Sequence, residues 1–301
     1  MVETNQQRAD RCLEGLSVGD AFGERFFFDP KADWRMETRT PPEFPGGWRW
    51  TDDTAMAAGL LRHLEVFGEI EDDNVDDLAM RWATLYQHDP YRGYGPHIQG
   101  LLTSIYAGGD WRTLAKEPFD GTGSMGNGSA MRVGPLGAWF VGRRDEPKFV
   151  ADQARRSADV THPHPEGQSG AIAIALATAF GCDRSADEVK AGLFNYVLPH
   201  LPEGPTKRGV EEAAGMPHDA EPHDVGRYLG NGKRVTCPDT VPLCLWVAAA
   251  YAGRYEDAMW ATVSTRGDVD TTCAIVGGMV ALHEGATIPP AWLKARHALP
   301  G

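Results

Sequence analysis

Thr51-Asp52-Asp53-Thr54 sets two acids between two hydroxyls just ahead of an apolar helical pattern, and Gly267-Asp268-Val269-Asp270-Thr271 repeats the layout far along the chain. Either group alone is what a helix start looks like: a capping threonine and acids placed favourably against the helix dipole. Two matched groups invite a second reading. If they face one another, four carboxylates converge, and like charges at close range do not all stay ionised unless a cation lies among them. Carboxylate and hydroxyl oxygens are hard ligands that suit Mg2+ or Mn2+ over zinc. Two divalent ions would balance the four formal charges, and such a pair orients and activates a water. The pattern points to a dinuclear hydrolase centre, on the condition that the two groups meet.

The elements that must carry these groups read as helices. Ala9, Cys12, Leu13 and Leu16 recur at spacings of three and four and run into Gly19-Asp20-Ala21-Phe22-Gly23, which predicts a helix over 6–23. From Thr51 onward Met56, Leu60, Leu64 and Phe67 mark another. Helical windows follow at 76–88, 96–107 and 148–159; the small aliphatic run 170–180 predicts a helix buried on most sides, and 240–252 and 271–284 predict apolar helices. Residues 26–50, crowded with aromatics, prolines and glycines, read as an ordered loop, with Trp48 and Trp50 as core anchors or a substrate wall. The Pro-, Gly- and His-rich stretch 200–235 reads as a surface insertion. Tyr91–Gly95 reads as an aromatic loop that lines a pocket or simply packs, and His162-Pro163-His164 as a rigid loop in want of a third metal ligand. Strand patterns barely occur, and neither a linker nor a repeat divides the chain. The expectation is an all-α fold, one multi-helix domain over 1–301 with ten or more helices.

Composition narrows the function. The 301 residues are 42% hydrophobic and 24% charged, enough for a sizeable core. With 29 Lys+Arg against 42 Asp+Glu the net charge is −13, a field that opposes phosphate backbones and anionic lipid and argues against a nucleic-acid partner. The five cysteines, Cys12, Cys182, Cys237, Cys244 and Cys273, are odd in number and never spaced as CxxC, so a disulfide framework and a thiolate zinc site are not indicated. A polar N-terminus and the lack of a long apolar run lead to the expectation of a cytoplasmic protein without a membrane span, and a monomer is expected.

Five ordered segments, GDAFG (19–23), WTDDT (50–54), GSMGNGSAMRVGPLG (123–137), THPHPEGQSGAIAIA (161–175) and RGDVDTTCAIVGG (266–278), resemble the motifs of the ADP-ribosylglycohydrolases, over residues 10–293. The resemblance implies an all-α fold, a binuclear centre of two Mg2+ (Mn2+ as the alternative), and hydrolysis of the bond between the anomeric carbon of ADP-ribose and an acceptor. By the same resemblance Thr51, Asp52, Asp53, Asp268, Asp270 and Thr271 are the metal ligands, and Asp52, Asp53 or Asp268 is the proton acceptor. Gly123, Ser124, Met125, Gly126 and Asn127 form the loop that holds ribose and diphosphate, a task that suits small residues with approachable backbone N–H groups. His162 lies beside the ribose and phosphates.

The chain departs from the family's pattern in two places. A glutamate usual eight residues after the first glycine of GDxxG is Phe27 here, with Glu24 the nearest acid; Glu24 substitutes, or a metal is held less tightly, or the gate is aromatic. Arg266 and Val269 replace a glycine and a threonine while the acids remain; Arg266 pairs with an acid, reaches a phosphate or is solvated. The partner so implied is ADP-ribose on a modified acceptor, first a protein arginine, with serine, O-acetyl-ADP-ribose and nucleic-acid bases open. The rivals are a catalytically weak ADP-ribose-binding or structural relative, and a phosphohydrolase that would give AMP.

Overall fold

A computed structural model of the chain describes residues 3–300 apart from positions 28, 30, 44 and 45, all of which fall in the predicted loop 26–50. Every extended element among the described residues is a helix. The first five are α1 (Asn5–Gly23), α2 (Ala32–Thr38), α3 (Asp52–Phe67), α4 (Val75–His88) and α5 (Pro96–Tyr106). Four short ones follow: α6 (Trp111–Leu114), α7 (Pro118–Gly121), α8 (Gly128–Met131) and α9 (Gly134–Trp139). Then come α10 (Pro147–Asp159), α11 (Pro165–Gly181), α12 (Ala186–Val197), α13 (Pro205–Ala214) and α14 (Pro222–Leu229). The last are α15 (Cys237–Ala250), α16 (Tyr255–Ser264), α17 (Val269–Val280) and α18 (Pro290–Ala295). The all-α expectation holds, and the five cysteines are unpaired and buried. No helix among the described residues is long and apolar enough to cross a membrane.

Local chemistry explains the helix starts. A capping box opens α1: the Thr4 hydroxyl accepts from the Gln7 N–H at 3.1 Å and the Gln7 amide oxygen accepts from the Thr4 N–H at 2.9 Å. α11 is the central helix, buried everywhere except Pro165 and Gln168. Around it pack α8, α9, α10, α12 and α15.

The contact that positions the site is between α1 and α17. Gly15, Gly19 and Gly23, spaced by one helical turn plus a fraction, line one face of α1 against the backbone of α17. A Cβ on Gly15 would lie 2.5 Å from the Gly277 carbonyl oxygen, and one on Gly19 or Gly23 would overlap the Cys273 or Val269 carbonyl outright. Only hydrogen at these positions lets the two backbones approach, and the approach carries Asp20 beneath the start of α17. An aromatic cluster holds the segment before α3 to the same frame. Phe22 stacks on Trp292 at 4.5 Å and meets Trp260 edge-on at 5.0 Å, with Trp48 at 5.6 Å. Trp48 and Trp50 are thus core anchors.

Two expectations need correction. Residues 26–50 are not loop throughout, because they contain α2. That helix buries none of its residues fully, so it has no apolar stripe for a sequence pattern to display. It is held instead by polar contacts: Asp29 accepts from the Lys31 N–H at 2.8 Å and pairs with Arg35, and Arg39 pairs with Asp257 at 2.7 Å. Residues 200–235 are not a surface insertion either. α13 and α14 bury Val210, Ala213, Val225 and Leu229, and α13 packs on α15. The prolines that suggested a breaker, Pro205 and Pro222, stand at the first helical position, where the missing N–H costs nothing.

Gly19→Ala is expected to lower the free energy of unfolding by about 1–3 kcal/mol, because backbone cannot give way as a side chain can. Gly100→Ala on α5, where a Cβ meets nothing within 4 Å, should instead stabilise by about 0.5–1 kcal/mol. Denaturant titration of both variants checks the pair. A further expectation concerns acid. His283 is buried with neither ring nitrogen hydrogen-bonded, and burial pushes its pKa from the ordinary 6.5 down to about 4. Between those values the unfolded chain takes up a proton that the folded chain refuses, so the contribution is lost as pH falls from 6.5 to 4, about 3 kcal/mol in all. His283→Leu should gain stability relative to the parent over that window in urea titrations; a difference that stays constant with pH refutes the assignment.

Candidate active site

Asp20, in the last turns of α1, is wholly buried and reaches across to the start of α3. Its two carboxylate oxygens accept the Thr51 N–H at 3.0 and 2.9 Å, and Oδ2 also accepts the Thr54 N–H at 3.1 Å and the Thr54 hydroxyl at 2.5 Å. The Thr51 hydroxyl donates to Asp53 Oδ2 at 3.0 Å and accepts only weakly from the Asp53 N–H at 3.4 Å. Thr51 is the N-cap of α3, as expected. Asp52 is fixed from the other side, where its N–H donates to the Arg92 carbonyl at 2.7 Å.

The second acid group stands at the head of α17, and the two groups meet. The Thr271 hydroxyl lies 3.5 Å from Asp53 Oδ2, at the outer limit of a hydrogen bond. Asp268, the N-cap residue of α17, accepts from the Asn127 side-chain amide at 2.8 Å through Oδ2. Asp53 Oδ1 and Asp270 Oδ1 are both shut off from solvent without a hydrogen-bond partner.

Such a chamber strains its own charges. Burial raises the pKa of Asp53 and Asp270 well above the carboxylate range, and neighbouring acids add to it, chiefly Asp20 and Asp270 on Asp53 and Asp268 and Asp20 on Asp270. Burial likewise lifts Asp20 to about 6 against the pull of its four hydrogen bonds, and Asp52 to about 8. Among the described residues, no group of three His, Cys, Asp or Glu side chains is drawn together as a ready metal cage. The donor set is nonetheless one that fits a hard cation: oxygen ligands alone, two of them orphaned and buried, in a cluster whose repulsion a cation would remove. Phe27 is 42% exposed, whereas the half-buried Glu24 carboxyl lies close enough to raise the pKa of both Asp52 and Asp270.

The glycine-rich loop lies against the same chamber through Asn127, which also donates to the Thr240 hydroxyl at 3.0 Å. His162 sits beneath the loop and is buried. A Cβ on Gly126 would be 3.1 Å from His162 Nε2, and one on Gly128 would be 2.8 Å from Cε1. These two glycines therefore make room for an imidazole, a reason for them that spacing alone does not reveal. Burial holds His162 neutral, its pKa well below the usual range, and its Nδ1 bonds the Thr161 hydroxyl at 2.7 Å. Gly123 is required on other grounds: its φ is +76° and a Cβ would strike Pro163. The Ser124 hydroxyl accepts the Gly126 N–H at 3.1 Å, and Met125 stands 41% exposed at the rim. His164 is the N-cap of α11, its Nδ1 accepting the Glu166 N–H at 3.0 Å.

Three features escaped the sequence reading. Asp20 sits four residues after Leu16 on the buried face of α1, and an acid in an apolar row was the available signal. Gly93 closes on Asp52, with a Cβ position 3.4 Å from Asp52 Oδ1, so the 91–95 loop walls the chamber while Tyr94 is buried against Tyr86. Residues 230–236 bridge the two halves: the Asn231 carbonyl accepts the Asp268 N–H at 3.1 Å and the Val235 carbonyl accepts the Asn127 N–H at 3.2 Å. Val235 there has φ +54°, strained for a β-branched residue, and Arg266 has φ +61° beside the second acid group. Arg266 resolves to the first of its open roles and pairs with Asp33 at 2.6 Å.

The family model described as ADP-ribosylglycohydrolase matches residues 1–299. The chain is 27% identical to the ADP-ribosylhydrolase ARH3 of Homo sapiens, over 94% of this chain and 87% of that protein. It is 25% identical to the ADP-ribosyl-[dinitrogen reductase] glycohydrolase of Rhodospirillum rubrum, over 95% of this chain and 89% of that one. A solved structure titled ADP-ribosylglycohydrolase-related protein complex shares the fold with a TM-score of 0.67 at 24% identity, covering 98% of this chain and 94% of that chain.

Neutralising one acid in so crowded a chamber should stabilise the metal-free chain. Asp53→Asn is expected to raise the unfolding free energy by about 1 kcal/mol in EDTA, since buried like charges oppose folding. In the parent, Mg2+ should raise the melting temperature, and in Asp53→Asn it should not; thermal unfolding with and without Mg2+ measures both.

Proposed function

The chain belongs to the ADP-ribosylglycohydrolase family and is a hydrolase of that class, and from this premise we propose that it cleaves ADP-ribose from a modified acceptor, with ADP-ribosylarginine on protein as the first candidate. The observation that carries the reading is the meeting of the two acid-rich helix starts, Thr271 against Asp53, around buried carboxylate oxygens that no described residue pairs. The reaction breaks the bond from the anomeric carbon to the acceptor heteroatom and forms one to a water oxygen, through an oxocarbenium-like carbon. Thr51, Asp52, Asp53, Asp268, Asp270 and Thr271 are the residues that would hold two Mg2+ or Mn2+. When bound, such ions offset the acids' charge and activate a water.

The chain's own groups supply the rest. Asn127 holds one oxygen of Asp268, which fixes that carboxylate and leaves its second oxygen for the centre. Asp52, partly open to solvent, is the first choice to take the proton the water gives up, ahead of Asp53 and Asp268. Gly123–Asn127 receive ribose and diphosphate, and neutral His162 braces that loop from below. Exposed Met125, within the glycine-rich loop, offers an apolar surface suited to a base. The position beside both acid pairs favours Glu24 over Phe27 as the replacement for the family's outer glutamate.

Incubation with ADP-ribosylarginine and ADP-ribosylserine peptides, with Mg2+ or EDTA, followed by mass spectrometry, tests the reading. Metal-dependent release of intact ADP-ribose is expected, and Asp268→Asn with Asp270→Asn should lose both Mg2+-dependent stabilisation and at least about 100-fold in rate with helical content unchanged. Glu24→Gln should weaken Mn2+ binding, and Phe27→Ala should leave it unchanged. Release of AMP would mean a phosphohydrolase, and ADP-ribose binding without release would mean a binding relative.

A further inference from the structure

The acids at the start of α3 pose a question of hydrogen-bond accounting. The first N–H groups of a helix lack partners within it, and Asp or Thr side chains in the first turn ordinarily satisfy them. In α3 the Thr51 hydroxyl takes the Asp53 N–H weakly and the rest of that work falls to a residue from another helix. Asp20 takes the Thr51 and Thr54 N–H groups and the Thr54 hydroxyl, three donors on two oxygens. The Thr51 hydroxyl accepts the Asp53 N–H only weakly, at 3.4 Å, and donates its hydrogen to Asp53 Oδ2, while Asp53 Oδ1 is buried and unpaired among the described residues. Asp20 itself is wholly enclosed, with its oxygens committed to α3. Its placement depends on Gly19 and Gly23 on either side, which press α1 onto α17, so the same residue is fixed relative to both acid groups.

We infer that Asp20 is the positioning residue of the site: by taking the Thr51 and Thr54 N–H groups from α1 it fixes the start of α3 and sets Thr51, Asp52 and Asp53 opposite Asp268 and Asp270. It acts through Thr51 and Thr54, touching neither metal nor substrate, and the inference rests on the metal-dependent reading above. Asparagine in its place offers one acceptor oxygen where two are used and turns an amide N–H toward a backbone donor. A cap of purely structural value would lower thermal stability and leave the chemistry of the folded protein alone; a positioning residue changes the centre itself.

The test is Mn2+ titration of the full chain followed by electron paramagnetic resonance, with kcat and KM for ADP-ribose release measured well below the melting temperature. Asp20→Asn is expected to weaken Mn2+ binding by about tenfold or more and to lower kcat by a similar factor at saturating Mn2+, with KM nearly unchanged because the glycine-rich loop is untouched. Thr54→Val, which removes one donor and keeps the N–H, should show the same pattern at a few-fold and covers the case in which Asp20→Asn does not fold. Variants that melt earlier but keep the parent's Mn2+ affinity and kcat overturn the inference and leave the metal reading standing. A parent chain that binds no Mn2+ overturns both.

Discussion

Five carboxylates, those of Asp20, Asp52, Asp53, Asp268 and Asp270, occupy one chamber where α1, α3 and α17 meet, and the energetic cost of keeping them there is what the surrounding structure is built to carry. Burial and mutual repulsion both oppose ionisation, and a fold selected for stability alone would place apolar side chains at these positions. The chamber persists because each acid is anchored by something it cannot easily leave. Asp20 is held by three donors of α3, Asp52 by its backbone bond to Arg92, and Asp268 by Asn127 and the Asn231 carbonyl. Asp53 and Asp270 each keep a buried oxygen that no described residue pairs. Rigid placement with unfilled valence is what a cation site requires of its ligands.

That rigidity begins in backbone packing. A helix pair separated by ordinary side chains would hold the start of α17 farther from Asp20 and from the start of α3 that Asp20 fixes. The glycine face of α1 removes that distance, and the aromatic cluster of Phe22, Trp48, Trp260 and Trp292 locks the segment entering α3 onto the same frame. The glycines of the 123–128 loop do a related job on the opposite wall, admitting the His162 ring beneath the chain instead of exposing backbone at random. Small residues here are selected for what comes close to them.

The outer wall is less regular and more strained. Residues 230–236 touch both Asp268 and Asn127 and include Val235 at positive φ, and Arg266 beside Asp268 shares that conformation while tethering α2 through Asp33. Strained positions persist where the surroundings overdetermine them, and they gather here around the candidate site. α2, with no fully buried residue, depends on such tethers for its place. Exposed ion pairs contribute little each, about 0–1 kcal/mol, so this wall is softer than the helical core behind it.

The helices with an apolar face were legible from the chain alone, because their periodicity records burial: α1, α3, α4, α5, α10, α11, α15 and α17 fall where the pattern places them. The acid pairs were equally legible as candidates, since residue type and spacing are local properties. α2 was not, because a helix held by ion pairs leaves no hydrophobic period, and α13 and α14 were hidden by prolines that begin helices as readily as they end them. Whether the acid pairs meet, why Gly126 and Gly128 are glycine, and what Asp20 caps all involve residues distant in sequence. No local pattern encodes a contact between position 20 and position 51, or between 53 and 271; those distances are set by how closely two helix backbones pack, and only the tertiary structure decides that.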